Sequence, residues 1–350
     1  MNMDARIERN KRFLADLFAG PFRGHAIIAD PELPPALDSG DILTTALPIS
    51  QWIDRELENY ERRVRISDAL GDDAVPHLRP FTGTEIFAAA FGCPIHTYAD
   101  SLPAARPLVR TPAEADRVAE PSLAHPLFER WFTYAERLLE RAGPGVPIAV
   151  PDIQSPFDIA ALIWNKQDMY LAVYDAPDAV KRLVDKSSRV LTAFLREFLQ
   201  RFPSGNLCHC PYAWAPREQG IWLSEDEAGA LSVAAFEEFC LPTLIDLSRD
   251  FGGLFMHCCA TADHQYGNFL RIPNLRGINR VFQAPGPRPA IEAFAGRAVL
   301  IMAWLDEQAI HDMLDMALPG TRFLFDLPAK PLYEQKAIYD RLRERCPAID

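Results

Sequence analysis

The sequence predicts an α/β fold: a (β/α)8 TIM barrel with an N-terminal helical extension. Three observations carry this. Strand-like and helix-like segments alternate through the second half of the chain at intervals of roughly 25–50 residues, the rhythm of βα units with parallel pairing. No Gly-x-Gly-x-x-Gly follows a strand, so an open dinucleotide-binding sheet lacks its usual fingerprint. The 350 residues carry no Gly/Ser-rich linker and fit one barrel, so a single domain over 1–350 is expected.

Residues 4–18 are charged and amphipathic and form a helix. A short apolar strand follows at 25–29, then a loop rich in Pro and Asp, then a helix near 48–64. Residues 81–93 give a loop and a short helix stopped by Gly92. Helices near 112–119 and 124–141 precede a strand at 145–150. Ser155-Pro-Phe-Asp158 opens the next helix: Ser155 is a good N-cap, Pro156 suits the first helical position and Asp158 the third. Capping is the plain account of Asp158. A helix pair covers 156–174 and a long helix 177–202. Residues 205–210 are the next strand, and 211–227 form a long loop carrying Trp214, Trp222, Glu225 and Asp226. A helix over 232–250 leads to a strand at 252–258. Then come helices at 263–270, 288–295, 306–317 and 331–345, interleaved with strands at 275–279, 298–302 and 322–325.

Composition removes several function classes. The net charge is −12 and no basic run with interleaved aromatics exists, so nucleic acid is not an expected partner. No run of about 18 apolar residues is present, so no membrane span is expected. Residues 1–15 lack the pattern of a signal peptide. The seven cysteines are an odd number and four crowd two strand ends, which points to free or metal-bound thiols in a reducing, cytoplasmic setting. Thirty prolines, mostly in connections, fit many loops on one scaffold.

The chemistry concentrates in Phe251-Gly-Gly-Leu-Phe-Met-His-Cys-Cys259, a short buried strand ending in metal-type side chains. Side chains two apart on a strand share a face, so His257 and Cys259 point one way, Met256 and Cys258 the other. Imidazole and thiolate are the preferred zinc donors. The alternative is a core histidine beside small buried thiols. Active sites of parallel barrels lie at the C-terminal ends of strands. Strand 205–210 ends in Cys208-His-Cys210, and Cys208 and Cys210 share a face. Read as consecutive barrel neighbours about 4.8 Å apart, the two strands would bring four soft donors to one mouth. In the alternative, Cys208 and Cys210 face the helices or sit at other depths. Other strand ends offer Asn279, Asp306 and Asp326. Asp306 equally suits an N-cap, and Asp326 a turn. Ser224 and Glu227 have the spacing of a capping box, which would make Glu225 and Asp226 part of a helix start.

With these residues in view, the chain resembles the uroporphyrinogen decarboxylase superfamily, and most closely its cobalamin-linked methyltransferase branch. The landmarks are Trp214, Trp222-Leu-Ser-Glu-Asp226, Leu231-Ser-Val-Ala-Ala-Phe-Glu-Glu-Phe-Cys-Leu-Pro242, the His257–Cys259 stretch and Ile272-Pro-Asn-Leu-Arg-Gly-Ile-Asn279. They are densest from about 204 to 330; Asp73 to Pro76 and Phe91-Gly-Cys93 are similar to the family's N-terminal half. The resemblance implies a (β/α)8 barrel and zinc held by a His-x-Cys pair, matched by His257 and Cys259, with a distant Cys near the last strand. Phe325-Asp-Leu-Pro328 stands there without one, so Asp326, Cys208 or Cys210 would complete the site, or no zinc binds. It further implies methyl transfer to or from a thiol or a corrinoid carried by a partner protein. Asp306, Asp326, Glu225 and Asp226 would then be catalytic, and Asn279, Trp214 and His209 would bind a small-molecule substrate. The alternatives are a metal-free decarboxylase, with Arg217, Arg276, Arg280 and Arg288 as candidate anion holders, and a non-catalytic ligand-binding relative. The decarboxylase's Arg-Gln-Ala-Gly-Arg run is absent.

Overall fold

The computed structural model describes residues 3–20, 24–37, 40–98, 101–280 and 286–347. Among these residues ten strands lie in chain order: β1 (Ala26–Ala29), β2 (Ile95–His96), β3 (Ala104–Ala105), β4 (Ile148–Ala149), β5 (Gly205–Asn206), β6 (Ile221–Ser224), β7 (Leu254–Cys258), β8 (Leu275–Arg280), β9 (Val299–Ala303) and β10 (Phe323–Leu327). Six of them form one parallel sheet in the order β1-β10-β9-β8-β7-β6.

Backbone hydrogen bonds close this sheet into a barrel. The Asp73 N–H donates to the Ile27 carbonyl at 3.0 Å, and Leu78 bridges Ile148 in parallel. Beyond β4 the chain rises to Gln154, which bridges Ser224 of β6. Eight positions thus ring the barrel: β1, the 73–78 segment, β4 with its extension, and β6 to β10. β5 pairs with β4, and Leu207 accepts from the Trp222 N–H at 3.0 Å, so this short strand wedges between β4 and the foot of β6. β2 and β3 form a separate antiparallel pair.

The period-2 alternation sorts the strands into two apolar layers. Ala26, Ile28, Trp222, Phe255, Val299, Ile301 and Leu324 fill the barrel interior. Ile27, Ile221, Leu223, Met256, Cys258, Leu300 and Phe325 face the helices. The helix Met3–Ala19 plugs the base: Phe18 meets the Phe255 ring edge-on at 4.9 Å, and Phe255 stacks on Trp222 at 4.7 Å. Each such pair adds about 1 kcal/mol beyond its buried area.

Helices match the expected segments apart from one extension, the helix expected near 48–64 running on to Leu70, and one division. The 232–250 helix breaks at Cys240 into Val233–Phe239 and Leu241–Phe251, because Pro242 has no N–H to continue the ladder. The larger departures concern two strands. Of the strand expected at 205–210, only Gly205–Asn206 is strand, followed by the single bond at Leu207. The loop expected at 211–227 contains β6, and β6 stands between β5 and β7. The 205–210 and 252–258 segments are therefore not barrel neighbours. Gly220 makes this packing possible: at φ +127°, a Cβ there would lie 2.2 Å from the Gly253 carbonyl. Among the described residues no helix is long and apolar enough to cross a membrane.

Candidate metal centre at the barrel mouth

β7 places Phe255 inside the barrel, so by alternation His257 stands above it and Cys259 at the rim. Ser224 pairs with His257 in register, and the Glu225 N–H donates to the His257 carbonyl at 2.8 Å. This extension of the β6–β7 ladder brings the next residue, Asp226, over the same spot. One ligand atom each from Asp226, His257 and Cys259 lies within 4.8 Å of the others. His257 Nε2 and Cys259 Sγ are 2.9 Å apart, and the Cys259 N–H donates to Asp226 Oδ1 at 2.6 Å.

A second layer orients the group. Asn279 Nδ2 donates to the Ile301 carbonyl at 2.7 Å, which turns its Oδ1 toward His257 Nδ1. Nδ1 must then carry the proton and Nε2 presents its lone pair to Cys259. Asp158 accepts from the backbone N–H of Asp226 at 2.6 Å and of Glu227 at 3.1 Å, fixing the loop that carries Asp226. His257 is buried and Cys259 exposed, so the group opens to solvent on one side. Burial, then the Asp226 and Asp152 carboxylates, push the Cys259 thiol up to about 11. A bound dication would reverse that balance. One nitrogen, one sulfur and one carboxylate oxygen, open on one side, match the donor set of a catalytic zinc site rather than a closed structural one.

The structure brings together some of the residues named from sequence and separates others. His257, Cys259 and Asp226 converge, and Asn279 supports them. Cys208 does not join: it is buried in the barrel interior with Trp222 and Phe255. Cys210 lies outside the triad but within electrostatic reach of Cys259 and Asp226, and burial pushes its thiol upward. The reason is β6, which intervenes where the two cysteine-bearing segments were expected to touch. No capping box forms at Ser224 and Glu227, since Ser224 ends β6 and Asp158 supplies the cap. Glu225 points outward to Ser155, Asp158 and Cys240. Burial pushes both Glu225 and Asp158 upward, and the two backbone N–H groups go to Asp158. Asp306 is exposed and caps the helix Glu307–Asp315 through the Ala309 N–H. Asp326 sits across the barrel near Asp30 and Arg79, pushed well upward by burial. Trp214 packs against the interior layer.

His209 is buried with its Nδ1 3.5 Å from Asp152 Oδ1, and burial lowers it to about 3. Asp152 was not singled out from sequence, though the strand-end rule that selected Asp326 applies to it equally, just beyond β4. Burial pushes its carboxyl up to about 7, against a hydrogen bond from Gln154, with the Asp226 charge adding to the rise. Trp304, also unmarked in sequence, follows β9 at φ +61° and presents its ring edge-on to His257 at 6.4 Å. A non-glycine residue held there stores backbone strain, a feature of functional sites. The four arginines considered as anion holders are engaged or remote. Arg217 bonds the Pro203 and Leu199 carbonyls, Arg276 the Gly252 carbonyl and Arg280 Asp263 and Tyr266, while Arg288 is exposed.

Residues 74–203 match the family model described as Uroporphyrinogen decarboxylase (URO-D). The match lies upstream of the stretch where the sequence landmarks are densest. The fold is shared with a methyltransferase from Methanosarcina mazei at a TM-score of 0.64 and 14% identity, over 95% of this chain and 98% of that one. The metallated homocysteine methyltransferase MmuM from Escherichia coli aligns at a TM-score of 0.25 and 11% identity, over 79% of this chain and 99% of that one. No curated protein matches the sequence.

Proposed function

We propose that this chain, which bears the likeness to the uroporphyrinogen decarboxylase superfamily expected from its sequence, is an enzyme that transfers a methyl group at a zinc centre held by Asp226, His257 and Cys259. The observation that carries the reading is the convergence of these three donors at the barrel mouth, with Asn279 fixing the imidazole tautomer. Asp226 takes the place of the distant cysteine that the sequence lacks. Zinc at this position would make a bound thiol a nucleophile at neutral pH.

The chain's own residues supply the rest. Asp152, poised near neutrality on the same mouth, accepts the proton that leaves the incoming thiol. His209 beside it stays neutral and leaves the Asp152 carboxylate without a cationic partner. Trp304 meets the His257 ring edge-on. As the methyl carbon bonds to sulfur, its bond to the carrier breaks and the electron pair stays with the carrier. The carrier fitting this scheme is a corrinoid on a partner protein, or a small methylated substrate.

The test is methyl transfer from methylcobalamin to a panel of small thiols, followed by loss of the cobalt–carbon absorbance. The wild type is expected to turn over, and Asp226→Ala, His257→Ala and Cys259→Ala to fall by at least about a hundredfold. Turnover that survives all three substitutions would overturn the reading.

A further inference from the structure

A second cavity opens on the same face of the barrel, away from the triad. Its walls come from segments that follow β1 and the 73–78 segment, from Tyr212, and from the helices Ile49–Leu70 and Pro126–Ala142. Barrel enzymes recognise substrates through loops on this face. Its volume is about 290 Å3, and a cavity of roughly half that size accommodates benzene.

Four aromatic side chains stand in its lining: Trp52, Phe81, Tyr134 and Tyr212. Tyr212 is held on two sides, by the Arg79 guanidinium 4.6 Å over its ring and by Phe81 edge-on at 6.4 Å. Three residues of this lining carry a buried polar atom without a partner: Trp52 Nε1, Asn59 Oδ1 and Tyr212 Oη. Together they offer donors and an acceptor to one guest. The charges around the cavity are already partnered, Arg55 by the Pro35 carbonyl and, at 3.8 Å, by Glu58. Arg79 grips Asp30 with two contacts of 2.9 Å, and Arg63 pairs with Glu56. Asp41 accepts from the Leu43, Thr44 and Gly83 N–H groups and the Thr44 hydroxyl, at 2.9–3.1 Å. A charged guest would find no counter-ion. A flat neutral guest with one group that both donates and accepts would satisfy the unpaired atoms.

We infer that this pocket binds an uncharged planar aromatic molecule bearing one hydroxyl-type group, as the subsite for the small-molecule substrate; its assignment to the substrate rests on the methyl-transfer reading above. Cys210, in electrostatic reach of the triad, and Tyr212, in the pocket wall, are two residues apart, so one short segment joins the two sites.

The experiment is titration of the full chain with phenol, cyclohexanol and benzoate, by calorimetry and ligand-observed NMR, with and without chelator. Phenol is expected to bind saturably at one site, at least about fivefold tighter than the other two. Asn59→Leu and Trp52→Leu are expected to weaken phenol about tenfold, with melting temperature and zinc content unchanged. Leu102→Glu, half-exposed on the rim and tolerant of substitution, gives the same loss if a wall variant proves unstable. Absence of saturable phenol binding, equal affinity for cyclohexanol or benzoate, or full binding by the folded variants would overturn the inference. Phenol binding that persists in a chain holding no zinc would leave the pocket standing and remove the methyl-transfer reading alone.

Discussion

His257 is set by residues that never reach solvent. Asn279 fixes its tautomer, and the Ile301 carbonyl fixes Asn279. Asn279→Leu is therefore expected to lower zinc affinity about 10–100-fold while leaving the fold in place, and Asn279→Asp, which keeps the acceptor, to retain most of it. Competition with a chromophoric chelator measures both. Glu85 makes a second residue-scale case. It is fully buried beside Asp41, which already takes four donors, and burial followed by its bond with Asp41 raises Glu85 to about 10. The folded chain keeps a proton that the unfolded chain releases near pH 4.5. Folding thus loses stability as pH rises from about 4.5 toward 10. Glu85→Gln removes that dependence, so its melting temperature relative to wild type should climb between pH 6 and pH 9. A difference that stays constant with pH would contradict this.

At the scale of elements, the pairing of β6 with β7 decides the site, because it carries Asp226 to His257 and Cys259. It depends on Gly220 and Gly253 in near contact. Gly220→Ala should cost about 2 kcal/mol or more in denaturant unfolding, from the positive φ and the clash together. The strand β7 was legible in the sequence because its apolar run is bounded by glycines and its polar end breaks the run. So was the facing of His257 and Cys259, which follows from period 2 alone. β6 was not legible. Its four residues, Ile-Trp-Leu-Ser, sit between Gly220 and an acidic stretch, too short for a period to declare itself. Missing it made 205–210 and 252–258 look like neighbours, drew Cys208 and Cys210 toward the metal, and left Asp226 looking like part of a capping box. Asp152 lay one proline beyond a recognised strand, and only tertiary burial marks it.

At the scale of the whole molecule, the chain's two ends are tied where the ring closes. The carboxylate of Asp73 accepts from the Ile27 N–H at 2.8 Å and from Arg343 of the last helix at 2.5 Å. Asp73→Ala would strand a buried donor and a mostly buried cation together. It should destabilise the chain by about 2–4 kcal/mol, read by urea unfolding. The same closure leaves the mouth's loops as the chemical surface, with the triad on one side and the aromatic pocket on the other. The central claim is that Asp226, His257 and Cys259 hold one metal ion. Elemental analysis of protein purified without a metal-binding tag tests it most directly. The account predicts about one zinc per chain in the wild type and in Cys258→Ser, whose thiol faces the helices, and a small fraction of that in Asp226→Ala, His257→Ala and Cys259→Ser. A wild type that holds no zinc after it is added back, or triad variants that keep it, would contradict the account.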